Sequence, residues 1–387
     1  MPPGSRSAER RSGYDPRMDR LIATYHLTGT ASDIRSQAEA LALEQSVEMP
    51  AEAITDDTVR DTTLGRVVDI APLEDGRHAV RISLAASTTG FEAGQLMNML
   101  FGNCSLQPQV QLVDVEWPAA LLAAFPGPRH GIAGIRALLG VPDRALTCTA
   151  LKPQGLPPEG LARLCATFAE AGLDIIKDDH GIADQAYSPF AARVRACQRA
   201  VRELNAATGR FVCYAPSLSG GPRQLREQLA VAAGEGVAMV LASPMLMGLP
   251  VFRELVDEGF SGPVLAHPAL SGALRIAPPL FYGRLFRLFG ADAVIFPNFG
   301  GRFSYSRETC HALVSAARAP WPGVKPALPV PAGGMTVARV PEMIAAYGRD
   351  TVLLIGGGLL SAREQLLARS REFVAAVAAA SLQENEA

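Results

Sequence analysis

A mainly apolar run, residues 173–176, ends abruptly in Lys177-Asp178-Asp179-His180. That is how a buried strand looks when it delivers polar side chains to the mouth of a parallel barrel. A lysine beside two carboxylates suits a metal site or a proton-transfer site; a simple ion-pair cluster is the plainer alternative. A second lysine, Lys152, closes another apolar run, residues 148–151. Two such lysines cannot both be buried cheaply as free cations. Each needs an anion, or one must lose its proton or be modified. A hard cation such as Mg2+ favours oxygen ligands, which a lysine amine does not offer and a lysine carbamate would. His180 reads two ways. As a ligand, its imidazole favours Zn2+, Mn2+ or Fe2+ over Mg2+. As a non-ligand, it acts as acid or base, or fills the space beside Asp179.

The elements that must hold these residues have two textures. From 20 to 140 the pattern is mixed. Leu21-Ile-Ala-Thr-Tyr-His26 alternates like a strand, and 31–46 has helical spacing. Residues 67–70 and 78–83 alternate again, joined as a hairpin by Glu74-Asp-Gly76. Residues 91–100 read as helix and 110–116 as strand, so an α+β sandwich of the ferredoxin-like kind is expected. From 141 to 380 the rhythm is strand, loop, helix. Strands are expected at 148–151, 175–176, 211–214, 238–241, 264–266, 293–296, 330–331 and 352–355. Helices are expected at 158–171, 190–208, 223–234, 247–258, 278–288, 307–316, 340–347 and 362–380. Eight of each over about 230 residues is the size of a (β/α)8 TIM barrel, whereas a doubly wound sheet normally needs fewer strands. The expected fold class is α/β, a C-terminal barrel behind an N-terminal α+β domain. Residues 1–19, rich in Arg, Ser and Pro without an apolar stretch, read as a disordered leader and not a signal peptide.

Chemistry in a barrel belongs at the C-terminal ends of the strands. Those ends are Lys152-Pro-Gln154, Lys177-Asp-Asp-His180, Tyr214-Ala-Pro-Ser217, Ser243-Pro244, His267-Pro268, Pro297-Asn298 with Gly300-Gly-Arg302, Ala332-Gly-Gly334 and Gly356-Gly-Gly358. The last two bear on ligand class. Glycine lets backbone N–H groups approach a ligand closely, and the loops after strands seven and eight often bind phosphate. Tight turns alone are the plainer reading. Met245 and Met247 read as core or pocket wall, and His26, His78 and His311 as surface or packing residues.

Composition narrows the partners. The chain has 387 residues, 48% hydrophobic and 19% charged, with a formal charge of −2, an ordinary globular balance. Nothing electrostatic points to nucleic acid or an acidic membrane, and no apolar run approaches the roughly 18 residues of a membrane span. Six cysteines (104, 148, 165, 197, 213, 310) without CxxC spacing read as reduced core thiols, which suits a cytoplasmic protein.

These residues resemble one family, ribulose-bisphosphate carboxylase and its RuBisCO-like relatives, from about residue 20 to 375. Glu44-Gln-Ser46 is similar to the segment bearing an active-site glutamate, and Gly102-Asn103 to the Gly-Asn with a catalytic asparagine. Gly127-Pro-Arg-His-Gly131 followed by Gly134-Ile-Arg136 resembles the stretch leading into the barrel. Lys152-Pro153 matches the lysine that handles protons during enolisation, and Lys177-Asp-Asp-His180 the lysine carbamylated for Mg2+ with its acidic neighbours. His267 matches the histidine after strand five. Ala332-Gly-Gly334 and Gly356-Gly-Gly358 match the phosphate loops.

The departures carry as much. The family's KPK is Lys152-Pro-Gln154, KDDE is Lys177-Asp-Asp-His180, and the HR pair is His267-Pro268; a later histidine is Ser271. No lysine stands in the strand-six loop, where Arg302 is the nearest cation, and residues 291–303 resemble the RuBisCO-like branch near the form found in photosynthetic bacteria. Fixing CO2 needs an electrophile clamp and a full oxygen ligand set, so no carboxylation is expected. The resemblance implies enolisation of a phosphorylated keto sugar or 3-oxo sugar acid, leading to isomerisation or C–C cleavage, with a divalent metal assisting. Mg2+ is the first choice and Mn2+ or Zn2+ the others, held by Lys177 (carbamylated), Asp179 and His180. It implies catalytic roles for Glu44, Asn103, Lys152, Lys177 and His267, and phosphate binding by Gly333, Gly334, Gly356, Gly357 and Arg302. It also implies a homodimer in which Glu44 and Asn103 reach the partner's barrel. The alternative is a non-catalytic, regulatory protein of sulfur metabolism or stress response.

Overall fold

The computed structural model describes residues 19–301, 303 and 305–386; the expected leader, but for Asp19, and Arg302 lie outside the described residues. The chain divides into two compact units. One runs to Phe125 and includes Leu274–Ala277; the other comprises Pro126–Ala273 and the chain from Pro278 onward.

The first unit is an antiparallel sheet of β1 (Arg20–Leu27), β2 (Arg66–Pro72), β3 (His78–Ala85) and β4 (Val110–Glu116), in the order β2-β3-β1-β4. β1 alternates strictly, with Leu21, Ala23, Tyr25 and Leu27 buried, so one face seeks cover. Helices Ile34–Glu44 and Ala93–Phe101 belong to this unit, and the Tyr25 hydroxyl donates to Leu100 O at 2.7 Å. The expected hairpin is present between β2 and β3, with Gly76 at φ 80° in its turn.

The second unit is the barrel. Its strands are β5 (Leu146–Leu151), β6 (Ile175–Asp178), β7 (Cys213–Ala215), β8 (Ser217–Leu218), β9 (Val240–Ala242), β10 (Val264–Ala266), β11 (Ala293–Pro297), β12 (Leu328–Ala332) and β13 (Val352–Leu354). β7 and β8 occupy one strand position interrupted at Pro216, which has no N–H to give a ladder. β7 pairs with β6 and β8 with β9, so the ladders fall into β13-β5-β6-β7 and β8-β9-β10-β11-β12, all parallel. At the remaining seam Thr351 Oγ1 donates to Pro329 O at 3.0 Å. One apolar core takes Leu146, Ile175, Ala215, Leu241, Leu265, Ile295, Val330 and Val352, one or more from each of the eight positions.

Three helices fall on the expected bounds: Pro158–Ala171, Phe190–Thr208 and Val340–Tyr347. The first two end on left-handed glycines, Gly172 and Gly209. Two others depart. Leu249–Glu254 runs on as a π-helix over Leu255–Gly259, and 278–288 is mostly a π-helix, Pro279–Leu285. The domain boundary expected at 140/141 is drawn at Phe125/Pro126. Helix Gly131–Leu139 is the reason: Ile132, Ile135 and Leu139 pack into the barrel core. The Asp292 carboxylate fixes its start, accepting from His130 N and Gly131 N, both at 2.7 Å, and from Val264 N at 2.9 Å. Among the described residues no helix is long and apolar enough to cross a membrane.

Candidate active site

Strand periodicity decides which polar residues meet. On β6, Ile175 faces the barrel core, Lys177 follows on the same side, and Asp178 points the other way. There Asp178 is fully buried against Arg193, whose Nε donates to Oδ2 at 3.0 Å. Tyr214 OH reaches Oδ1 at 2.8 Å and Ser217 N reaches Oδ2 at 3.0 Å. Burial pushes the Asp178 carboxyl up, against the opposing pull of Arg193, Ser217 and Tyr214. The sequence placed a lysine beside two carboxylates; the fold leaves one of them in the site.

That site is a cavity of about 990 Å³ lined by Lys152, Lys177, Asp179, His180 and His267, with both Gly-Gly loops. Lys152 Nζ lies 2.6 Å from Asp179 Oδ2, and His180 Nδ1 lies 3.4 Å from Oδ1. Burial disfavours the Asp179 carboxylate, but hydrogen bonds from His180 and Lys152 and the charges of both lysines outweigh it and hold the group below the usual carboxylate range. Lys177 is buried, and burial lowers its pKa; its Nζ donates to Asp178 O at 3.0 Å. Burial works against its charged form, while the nearby Asp179 and Asp178 carboxylates work for it.

His180 and His267 stack with ring centres 4.1 Å apart and planes 12° apart. His267 Nδ1 accepts from Ala269 N at 3.1 Å. Burial, with the positive charge of Lys177, brings its pKa down to about 2. The ring is therefore neutral with its proton on Nε2, a donor and not a base.

Both glycine loops line the same cavity. Gly333 and Gly334 have φ of 87° and 66°, conformations that disfavour a Cβ. Gly356 caps the short helix Gly357–Leu360 and leaves room for the Lys152 stem; a Cβ there would sit 3.7 Å from Lys152 Cε. Glu44 and Asn103, distant in sequence, meet in the first unit, where Asn103 Nδ2 donates to Glu44 Oε1 at 2.8 Å. Met247 lines a small pocket of about 30 Å³ beside His180. His26, His78 and His311 do not line the main cavity, and the six thiols are free and buried.

Sequence reading missed part of the wall. Tyr282 and Tyr305 line it with their hydroxyls 3.2 Å apart, together with Phe303 and Thr336. Tyr282 sits on the π-helix, a form frequent at functional sites, but invisible to a 3.6-residue periodicity. Asn298 also lines the wall, yet its amide is engaged by Tyr347 OH at 2.6 Å and the sulfurs of Met335 and Met343. Among the described residues no group of three His, Cys, Asp or Glu side chains is placed to hold a metal ion.

The chain is similar to known proteins over most of its length. The family model described as ribulose bisphosphate carboxylase large chain, catalytic domain, matches residues 131–248. The chain is 54% identical over 363 residues to a 5-methylthioribulose-1-phosphate isomerase of Rhodospirillum rubrum, covering 94% of this chain and 97% of the relative. It is 33% identical over 389 residues to a 2,3-diketo-5-methylthiopentyl-1-phosphate enolase of Geobacillus thermodenitrificans, covering 94% and 93%. The crystal structure of a Rubisco-like protein from Rhodopseudomonas palustris superimposes with a TM-score of 0.87 at 51% identity, covering 93% of this chain and 98% of that one. With overlap of this extent on proteins named as an isomerase, an enolase and a Rubisco-like protein, the chain is an enzyme of the RuBisCO-like protein family.

Proposed function

We propose that the protein enolises a phosphorylated keto sugar with an apolar tail, and isomerises it, as the Rhodospirillum rubrum relative is named to do with 5-methylthioribulose 1-phosphate. The observation that carries this is the pairing of differently placed lysines in one cavity: Lys152 at 2.6 Å from Asp179 and partly exposed, Lys177 buried with its pKa lowered by burial. Environments that push like groups apart assign acid and base roles. Lys177 takes the proton from the carbon beside the carbonyl, and that C–H electron pair becomes the C=C bond of an enediolate. Lys152 and the Nε2–H of His267 stabilise the oxygen that gains charge. Return of the proton to the neighbouring carbon completes the isomerisation, with no co-reactant.

The cavity's ends suit such a substrate. The strand-seven and strand-eight loops offer backbone N–H groups to one phosphate. The cations among the described lining residues are Lys152 and Lys177, both beside Asp179, and Pro268 stands where the family has an arginine. Among the described lining residues no further cation offers itself to a second phosphate. Pro268, Tyr282, Phe303 and Tyr305 give part of the cavity an apolar, aromatic wall, which suits a thioether tail. The same shortage of cations argues against a bisphosphate and against carboxylation.

A divalent cation would fit this donor set with Lys177 as a carbamate, in which case a carbamate oxygen, not the amine, would take the substrate proton. Asp179, His180 and the carbamate oxygen would hold it, and it would supply a Lewis acid at the carbonyl. Metal content of protein purified without chelator, compared with His180→Ala, tests the ligand role. Retention of Mn2+ or Zn2+ that His180→Ala abolishes supports it, and identical content counts against it.

The active unit we propose is a homodimer in which Glu44 and Asn103 of a second copy complete the cavity. Mixing inactive Glu44→Gln with inactive Lys152→Met chains should restore activity, and failure to do so speaks against a shared site.

The central test is deuterium exchange. Protein with 5-methylthioribulose 1-phosphate in D2O should incorporate deuterium beside the carbonyl, followed by NMR. Lys152→Met and Lys177→Met should each lose about 100-fold or more, the scale of a single acid or base. Undiminished exchange in both variants would overturn the mechanism.

A further inference from the structure

The Gly300-Gly301 step after β11 is a glycine motif at a barrel strand end that the proposed chemistry leaves without a role. Gly301 lies against the phosphate loop: a Cβ on it would fall 2.8 Å from Gly333 O and 3.0 Å from Gly333 C. Gly334, in turn, approaches Gly301 so closely that its Cβ would fall 2.7 Å from Gly301 Cα. Two backbones can lie this near only where neither carries a side chain. The position of the strand-seven loop is thus tied to the position of the strand-six loop.

One side chain joins the two. Arg339, at the end of the 3-10 turn Val337–Arg339, donates from Nη1 to Gly334 O at 3.3 Å and from Nη2 to Phe299 O at 3.2 Å. Its Nε donates to Glu342 Oε2 at 3.0 Å. The guanidinium also packs on Gly300, whose Cβ would fall 3.2 Å from Nη1. Glu342 holds a second arginine, Arg307, at 2.8 Å. The Phe299 ring is buried with both guanidinium carbons over it, at 4.2 Å for Arg307 and 5.3 Å for Arg339. Behind them Phe299 meets Tyr347 at 5.9 Å, and Tyr347 OH holds Asn298. Asn298 N itself donates to Ala332 O at 2.9 Å, the residue before the Gly-Gly pair.

We propose that Arg339 is a positioning residue for phosphate binding: its planar fork clamps the strand-six loop to the Gly333-Gly334 loop and so aims the glycine N–H groups at the ligand. Each of the three guanidinium nitrogens already has a protein acceptor, and Arg339 is not among the residues lining the cavity. It acts through the loop and not as a phosphate ligand. Only a rigid fork spans two carbonyls and a carboxylate at once, which a lysine ammonium does not. The inference rests on the reading of these glycines as a phosphate site.

Titration calorimetry with inorganic phosphate on the full-length chain, with deuterium-exchange kinetics beside it, separates the two. Wild-type protein binds phosphate, and Arg339→Met should weaken that binding tenfold or more. In exchange, KM should rise by a similar factor while kcat changes far less. Arg339→Lys should not rescue it, because charge without the fork does not restore the clamp. Glu342→Gln, which weakens the acceptor of Nε and also the Arg307 pair, should show a smaller loss in the same direction and serves if Arg339→Met does not fold. Wild type that binds no phosphate would sink both the phosphate reading and the clamp. Wild type that binds, with Arg339→Met and Glu342→Gln binding equally well or Arg339→Lys fully restored, would sink the clamp alone.

Discussion

Arg193→Met probes how the fold holds the catalytic strand. Arg193 is fully buried, bonded from Nε to Asp178 Oδ2 at 3.0 Å and from Nη1 to Ser188 O at 2.8 Å, with its guanidinium 5.4 Å from the Phe190 ring centre. Methionine keeps the stem and removes the charge, so Asp178 stays buried with Tyr214 and Ser217 alone. Removing one partner of a buried pair costs about 3–5 kcal/mol, because the other charge is left uncompensated. For a unit of this size each kcal/mol shifts Tm by roughly 2–4 °C, so a fall of about 6–20 °C is expected. The pH dependence follows from the sign of the shift. Burial already raises Asp178, and loss of Arg193 removes the largest opposing pull. A group whose folded pKa lies above its unfolded value contributes stability that is full below the unfolded pKa and lost as pH rises through the folded one. The deficit of Arg193→Met should therefore be largest above neutrality and shrink as pH falls toward the usual carboxylate range. Adding Asp178→Asn, which keeps an amide beside Tyr214 and Ser217, should recover part of the loss at pH 8. Urea unfolding at pH 5 and pH 8 measures both. A deficit under about 1 kcal/mol at pH 8, or one that grows toward acid, would refute the reasoning.

Three further outcomes are expected. Asp292→Ala leaves the N–H groups of His130, Gly131 and Val264 without their acceptor, and urea unfolding should show a loss of about 3 kcal/mol or more. Gly334→Ala meets both a φ of 66° and the Gly301 backbone, so it should lose phosphate affinity in calorimetry; Gly76→Ala, at φ 80° with nothing within 4 Å, should leave phosphate binding untouched. The cysteines are buried, and burial pushes the thiols of Cys104, Cys148 and Cys213 up to about 12, so Ellman's reagent at pH 8 should find almost no reactive thiol until the chain is unfolded in urea.

Much of the barrel is legible in sequence because its signals are local. Helix Phe190–Thr208 ends where Gly209 supplies a left-handed residue, and the polar strand ends mark the mouth. What escapes is whatever depends on a partner. Helix Gly131–Leu139 is amphipathic from either side of a boundary, and only packing shows that its apolar face belongs to the barrel. Pro216 splits one strand position into β7 and β8, which a count of apolar runs absorbs without notice. The π-helix that carries Tyr282 differs from an α-helix by one residue per turn, too little for a pattern to resolve over seven residues. Glu44 and Asn103 lie 59 positions apart, and no local pattern pairs them.

Asp178 is the instructive case, because the signal was present. A strand alternates its faces, so Lys177 and Asp179 cannot share a side with the residue between them if the strand continues past Lys177. Once Asp178 is assigned to the helix layer, the charge in the cavity balances differently. Lys152 pairs with Asp179, burial lowers the Lys177 pKa and His267 is neutral. A second carboxylate in the cavity would have demanded a metal or a protonated Lys177 to neutralise it. Phosphate and an enediolate bring further negative charge into this cavity. At that point Lys152 is the cation in reach, shared between Asp179 and the new oxyanion, and the backbone N–H groups that Arg339 aims carry the rest.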